Sequence, residues 1–546
     1  MKNLNLLLFT LLFSSMVMAQ QYDVAILNGR VMDPETMYDN IANVGVKDGR
    51  IAIITKDNIT GKETIDATGL VVAPGFIDGH QHCIETYAYR LMVRDGRTTI
   101  MDLEVGASGP NVDAFYKDRE GKSPVNFGIS VAHEFARATV LDGFTEWKHY
   151  NTPDGFVSRA QAQGWSKTRP TLEQGNQILA NIDEGLRQGA LGIGSTVGYM
   201  REGVSSREIF ELQKLGGKYG RYIAMHFRNT PGNDVQEVSG IQEMLANAAA
   251  LGSPAIACHF NNPGYNMVHE LLVRMREKGN NVWGEVYPYN AGSTTLNAMF
   301  LEPEIWVDAL GYKYEETLKD VETGEFYTVE SRKEMLKKEP TRPIIVYKMP
   351  EEAIVDWLKM KGVAIGSDGM PIIPDDGLEW DTPYEDFPNT HPRFAGSFAK
   401  VLRLARENNI PLMQAVSMTS YNYAKPLGEM GLKSMQVRGR MQEGMVADIT
   451  MFDPETVTDH ATYAKGTLPS TGIPHVIVNG IIVMRDSEPL KRFDAGQPIR
   501  FEVQGKGKFE PLTIEGWTQK FYAVPEDFSG TSGLDCCDFG QEGHEH

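Results

Sequence analysis

Apolar and polar positions follow two different rhythms along the chain. Near the start, YDVAILNGRVMDP, NVGVKDGRIAIIT and ETIDATGLVVAP set short β-type runs between turn signals such as Asn28-Gly29 and Asp48-Gly49. GRMQEGMVADITMFDP and HVIVNGIIVMRD repeat that texture near the far end. Two β-rich ends flanking a long middle predict one small β-sandwich built from both. In the middle, short apolar runs recur at 70–82, 98–105, 126–133, 190–197, 222–226, 255–259, 282–287 and 363–368. Between them, stretches such as TLEQGNQILANIDEGLRQG and GIQEMLANAAALG place apolar residues at a helical period. Alternating strands and helices with eight such runs predict an α/β fold, a (β/α)8 TIM barrel. Residues 301–352 are too long, charged and Lys-, Glu- and Pro-rich for a simple connection, and read as an inserted lid or subdomain. The expected plan is a leader at 1–19, sandwich at 20–72 and 426–500, barrel at 73–425, and a C-terminal extension with a polar tail at 501–546.

A length of 546 residues fits a large domain plus an accessory one. The formal charge of −19 argues against nucleic acid or an anionic membrane surface as a main partner. The N-terminus, MKNLNLLLFTLLFSSMVMAQ, has a basic Lys2, a short apolar run and a Val17-Met18-Ala19 step. It reads as a signal peptide cleaved after Ala19, so the expectation is an exported protein, periplasmic or secreted, with no membrane anchor after cleavage. Four cysteines do not make a disulfide framework. Cys83 and Cys258 read as free thiols, and Cys536 and Cys537 lie in the polar tail.

Chemistry enters where strands end, because barrels of this type place it at the C-terminal face. The first run ends APGFIDGHQH, and residues i and i+2 of an extended segment project together, so His80 and His82 face one point. The second carries Glu104, the fifth ends in His226, the sixth in His259 and the eighth in Asp368. Four imidazoles and two carboxylates at one barrel mouth describe a divalent-metal site, and Zn²⁺ suits that nitrogen and oxygen mixture.

On those residues the chain resembles the metal-dependent amidohydrolases, and within them the D-aminoacylases (N-acyl-D-amino-acid deacylases). APGFIDGHQH is similar to the family's first-strand motif, AIGSDGMP to its eighth-strand motif, and RGRMQEGMVADITMFDP to its returning sandwich segment. EVYPYNAGSTT and HPRFAGSFAKVL resemble stretches of the deacylase branch. The resemblance implies one or two Zn²⁺ ions held by His80, His82, His226, His259 and Asp368. It also implies substrate contacts from Tyr199, Tyr287, Ser293 and Arg393. Arg393 has a chemistry of its own, since a guanidinium forks onto a carboxylate. Two positions depart from the family. Its second strand carries a metal-binding cysteine where this chain reads DLEVGA, so the role passes to Glu104, with Asp102 the competitor on the same strand face. Its lysine two residues past the sixth-strand histidine is Asn261 here.

The ligand set implies hydrolysis of a linear amide, with Asp368 as general acid–base. The leading expectation is deacylation of small-molecule N-acyl-D-amino acids. The alternatives are a dipeptide, cyclic amide or lactone as substrate, or a non-catalytic exported binding protein.

Overall fold

A computed structural model describes residues 21–82, 88–144, 162–228, 238–370 and 378–516. The leader at 1–19, Cys83 and the tail bearing Cys536 and Cys537 lie outside the described residues.

The two β-rich ends meet in one sheet. Gln21–Asp33 pairs antiparallel with Tyr38–Lys47 and parallel with both Thr60–Asp66 and Val71–Pro74. Ile449–Phe452 then aligns antiparallel to Val71–Pro74, and His475–Val478 and Ile481–Arg485 continue the sheet. Alternating inward residues such as Val24, Ile26, Val44 and Val46 are buried with Ile449 and Met451, so the apolar positions of both ends fill one core.

Eight parallel strands form the middle: Phe76–Asp78, Arg97–Ala107, Asn126–Ala132, Ile193–Ser195, Ile223–Met225, Ala255–Ala257, Val282–Val286 and Ala364–Ile365. They are ordered as in the sequence, each next to its predecessor. The ring closes through a bridge between Gln81 and Gly369, where the His82 amide donates to the Gly369 carbonyl at 2.9 Å. Ile77, Met101, Tyr222, Ile256 and Trp283, from different strands, pack inside it. Helices such as Leu172–Arg187 cover the outside; Thr171 and Gln174 form a reciprocal capping box at its start.

Three expectations shift. The run read as 70–82 divides at the Pro74-Gly75 step: Val71–Pro74 belongs to the end sheet and Phe76–Asp78 to the barrel. The end sheet therefore extends past 72. The insert is also wider than 301–352. Its three-stranded antiparallel sheet starts at Ala291–Thr295, which pairs with Pro343–Tyr347, and Leu318–Asp320 completes it. Leu296, Trp306, Tyr312, Tyr314 and Tyr327 give this piece a core of its own. The chain past 500 is also not a free extension throughout. It runs along the helix Leu172–Arg187, with the Lys508 amide donating to Asp183 and the Leu512 amide to Asn176, both at 2.8 Å. Among the described residues, no helix is long and apolar enough to cross a membrane.

Candidate active site

The strand ends bring all six expected ligands to the mouth of the barrel. His80 and His82 follow the first strand in an extended segment, and their Nε2 atoms stand 3.1 Å apart. His80 Nε2 lies 3.3 Å from Glu104 Oε2 and 3.5 Å from Asp368 Oδ1. For His82 Nε2 the same two distances are 3.6 and 3.4 Å. A tetrahedron with Zn–N and Zn–O bonds of about 2.0–2.1 Å has edges of roughly 3.3–3.4 Å. These five separations are close to those between donor atoms of such a shell. The other oxygen of Glu104, Oε1, faces His226 Nδ1 at 3.4 Å and His259 Nε2 at 2.8 Å. Although buried and this close to nitrogen, Oε1 accepts no hydrogen bond. Lone pairs converging on a common point, rather than a donor aimed at an acceptor, account for that contact. The donor set thus fits a divalent cation, with Glu104 turned between two histidine pairs.

The neighbours of these ligands orient them. His82 turns its Nδ1 to Asp102 at 3.2 Å, which places Asp102 behind the imidazole. Glu104 is the carboxylate at the centre. His80 Nδ1 contacts Glu285, whose second oxygen accepts from the Tyr423 hydroxyl. Such partners fix the ring orientation of a ligand histidine. Burial opposes a charge on His80, but Glu285, Glu104 and Asp368 outweigh it and raise its pKa well above the ordinary value. Burial likewise opposes ionisation of Asp368, yet Arg393 and His80 hold it well below the usual carboxylate range. Arg393 Nη1 stands 2.8 Å from Asp368 Oδ2. His226 is pushed down to about 4, chiefly by burial, which keeps its imidazole neutral and able to donate a lone pair.

Two backbone features support this packing. His259 and Asp368 adopt φ of 29° and 50°, left-handed values that non-glycine residues seldom take. Strain of this kind costs on the order of 1–3 kcal/mol and concentrates at functional sites. Gly366 is required by close approach: a Cβ there would come within 2.8 Å of His80 Cβ and 2.9 Å of the Tyr423 hydroxyl.

Above the cluster opens a cavity. Tyr199, Tyr287, Ser293 and Arg393 all line it. The Tyr199 ring lies 4.9 Å from that of His226, and its hydroxyl is 3.1 Å from Thr294 Oγ1. Tyr287 offers its ring face to the Arg393 guanidinium at 4.7 Å.

No family model matches the chain. Over 502 residues it is 26% identical to the N-acyl-D-glutamate deacylase of Alcaligenes xylosoxydans xylosoxydans, covering 87% of this chain and 96% of that enzyme. The D-aminoacylase of the same organism is 27% identical over 503 residues, covering 86% and 96%. A solved structure of N-acyl-D-glutamate deacylase from Bordetella bronchiseptica, complexed with zinc and a phosphonate mimic of the reaction tetrahedral intermediate, superposes with a TM-score of 0.69. It is 24% identical and covers 88% of this chain and 100% of that one, a likeness of fold. These relatives support the D-aminoacylase branch of the amidohydrolases. They imply a metal-dependent amidohydrolase.

Several residues at this site were not legible in the sequence. Glu285 sits inside an otherwise apolar strand, VWGEV, and a lone charge there was the available signal. Lys348 reaches the cavity from the insert, and burial pulls its ammonium down to about 8. Asn261, at the lysine position of the deacylases, is buried and directs its Nδ2 to the Tyr287 carbonyl at 3.4 Å. His133 lies in a separate buried network, with Nε2 2.8 Å from Glu208 and Nδ1 2.8 Å from Ser195 Oγ.

Proposed function

We propose that the protein is a zinc-dependent deacylase that hydrolyses N-acyl-D-amino acids to a carboxylate and a free D-amino acid. The observation that carries this reading is the division of Glu104: one oxygen faces His80 and His82, the other His226 and His259. His80, His82, Glu104 and Asp368 would hold one ion, and Glu104, His226 and His259 a second. Bound there, Zn²⁺ supplies Lewis acidity toward the scissile carbonyl and toward an attacking water.

The chain's own groups do the rest. Asp368, ionised because Arg393 and His80 favour its charge, takes the proton of the attacking water on its carboxylate. It then delivers that proton to the leaving amine nitrogen. Glu285 and Asp102 keep the imidazoles of His80 and His82 turned inward. Tyr199, Tyr287 and Ser293 form the walls that orient the amide, and Arg393 lends its guanidinium to Asp368 and to the acid end of the substrate. The relatives' activities, deacylation of N-acyl-D-glutamate in one and that of a D-aminoacylase in the other, support this choice of amide.

Elemental analysis together with a chiral panel of N-acyl amino acids tests the reading. The expected result is bound zinc and release of free amino acid from D but not L substrates. Turnover of cyclic amides or lactones with none of the N-acyl-D-amino acids would overturn it. The leader-like residues 1–19 support export as well; a mature protein that begins elsewhere than Gln20 would contradict that part.

A further inference from the structure

The cavity wall is assembled from two pieces of chain, and a buried histidine outside the cavity joins them. His391 stands two residues before Arg393, the first residue of the helix Arg393–Glu407. Its Nε2 lies 2.9 Å from the carbonyl oxygen of Ala291, the first residue of the insert strand Ala291–Thr295. Its Nδ1 accepts the backbone N–H of Arg393 at 3.1 Å. Those two contacts define one tautomer, with the proton on Nε2 and the lone pair on Nδ1. Burial, and then the charge of Arg393, hold its pKa well below the ordinary histidine value, so the ring stays neutral and keeps both contacts. Tyr289 and Tyr463 stand nearly perpendicular to the imidazole, their ring centroids 5.5 and 5.1 Å away. Both are anchored, Tyr289 by donating to the Pro392 carbonyl at 3.2 Å and Tyr463 by donating to Asn290 Oδ1 at 2.9 Å. The imidazole is thus caged, with one polar edge on the insert and the other on the helix start.

Arg393 depends on support of this kind. It is buried, yet none of its three guanidinium nitrogens makes a hydrogen bond to a described residue, although Nη1 stands 2.8 Å from Asp368 Oδ2. Its place is therefore set by its backbone and by the Tyr287 ring it lies over. On the other side, Ser293 follows Ala291 by two residues and lines the cavity with Arg393. We propose that His391 is a positioning residue for the reaction, a clamp that holds the Arg393 backbone and the insert strand in one register. Arg393 then meets Asp368, and Ser293 meets the substrate, from fixed places. His391 itself is not among the side chains that line the cavity, so it acts through the Arg393 amide and the Ala291 carbonyl. The proposal goes beyond the deacylase reading and rests on it only for the substrate of the assay.

Three variants of the metal-loaded protein take the clamp apart. His391→Phe keeps a ring in the cage and loses both contacts. In His391→Asn, Oδ1 takes the place of Nδ1 and can still accept from Arg393, but nothing reaches Ala291. In His391→Gln, Nε2 takes the place of its histidine namesake and can still donate to Ala291. With N-acetyl-D-leucine, His391→Phe should lower kcat/KM by roughly 10–100-fold, the scale of a misplaced reacting group. Each half-variant should regain part of that loss, and bound zinc should match the wild type in all three. Amide hydrogen exchange without substrate gives a second readout. His391→Gln should speed exchange at Arg393, and His391→Asn should speed it along Ala291–Thr295. A folded, zinc-loaded His391→Phe with kcat/KM within twofold of wild type would overturn the proposal. So would half-variants no better than His391→Phe, which would assign the effect to the ring's packing. Should His391→Phe fail to fold, the half-variants decide: exchange raised equally at both places, or at neither, sinks the clamp. A wild type that hydrolyses no N-acyl-D-amino acid while exchange follows the expected pattern would sink the deacylase reading and leave the clamp standing.

Discussion

The barrel mouth and the inserted sheet face one cavity but are built differently. Every candidate metal-donor side chain comes from, or just after, a parallel barrel strand, the first and last of which meet at the Gln81–Gly369 bridge, and most of these side chains are buried. The insert contributes Ser293, Gly292 and Lys348 from an antiparallel ribbon with a separate aromatic core around Trp306 and Tyr312. Groups that must share an ion need fixed separations of a few tenths of an ångström, which a closed barrel provides. Groups that choose among substrates tolerate looser support. The comparison teaches that the insert's share of the cavity wall can be altered without touching the metal donors, since the two sit on different pieces of chain.

The largest effect should come from the barrel side alone. Removing the metal with a chelator should abolish amide hydrolysis, and adding Zn²⁺ back should restore it; full activity in protein shown by elemental analysis to be metal-free would break the comparison at its root. Asp368→Asn should follow, with kcat reduced by about 10²–10⁴-fold for loss of a general acid–base group. A metal-loaded Asp368→Asn enzyme with ordinary kcat would move the proton-transfer role elsewhere.

A finer test sits within one strand. Glu104 faces the histidines and Asp102 lies behind His82, although the two residues are only two apart. Glu104→Gln should therefore strip or weaken bound metal, because an amide oxygen is a poorer donor than a carboxylate, and Glu104→Cys should regain part of it. Asp102→Asn should cost less, within the roughly 10–100-fold loss typical of a partner behind a ligand histidine. The reverse order in measured metal content would exchange the two roles. The smallest effect belongs to the insert. Ser293→Ala should raise KM by several-fold at most, about 1 kcal/mol for one neutral hydrogen bond, and leave bound metal unchanged. Metal loss in that variant would show that the two regions are not separable.

The pattern of apolar runs was enough to read a barrel with a sheet made from both chain ends, because period-2 and period-3.6 burial are local properties of the chain. The strand-end residues His80, His82, Glu104, His226, His259 and Asp368 were legible for a related reason. Parallel strands of one barrel all end at the same face, so position along a run predicts position in space. What stayed out of reach depends on pairings between distant segments. The strand Ala291–Thr295 lacks an apolar run and becomes a strand only because Pro343–Tyr347 lies beside it. Glu285 and Tyr423 are 138 residues apart, and their meeting behind His80 follows from barrel closure. Lys348 looks like any charged residue after a strand until the insert folds over the mouth and turns it into the cavity. The sequence by itself determined which elements form and which faces they bury. Only the tertiary structure decided that Glu104 rather than Asp102 meets the histidines, and that the insert brings a cation to the cavity, because both depend on where side chains converge after the ring has closed.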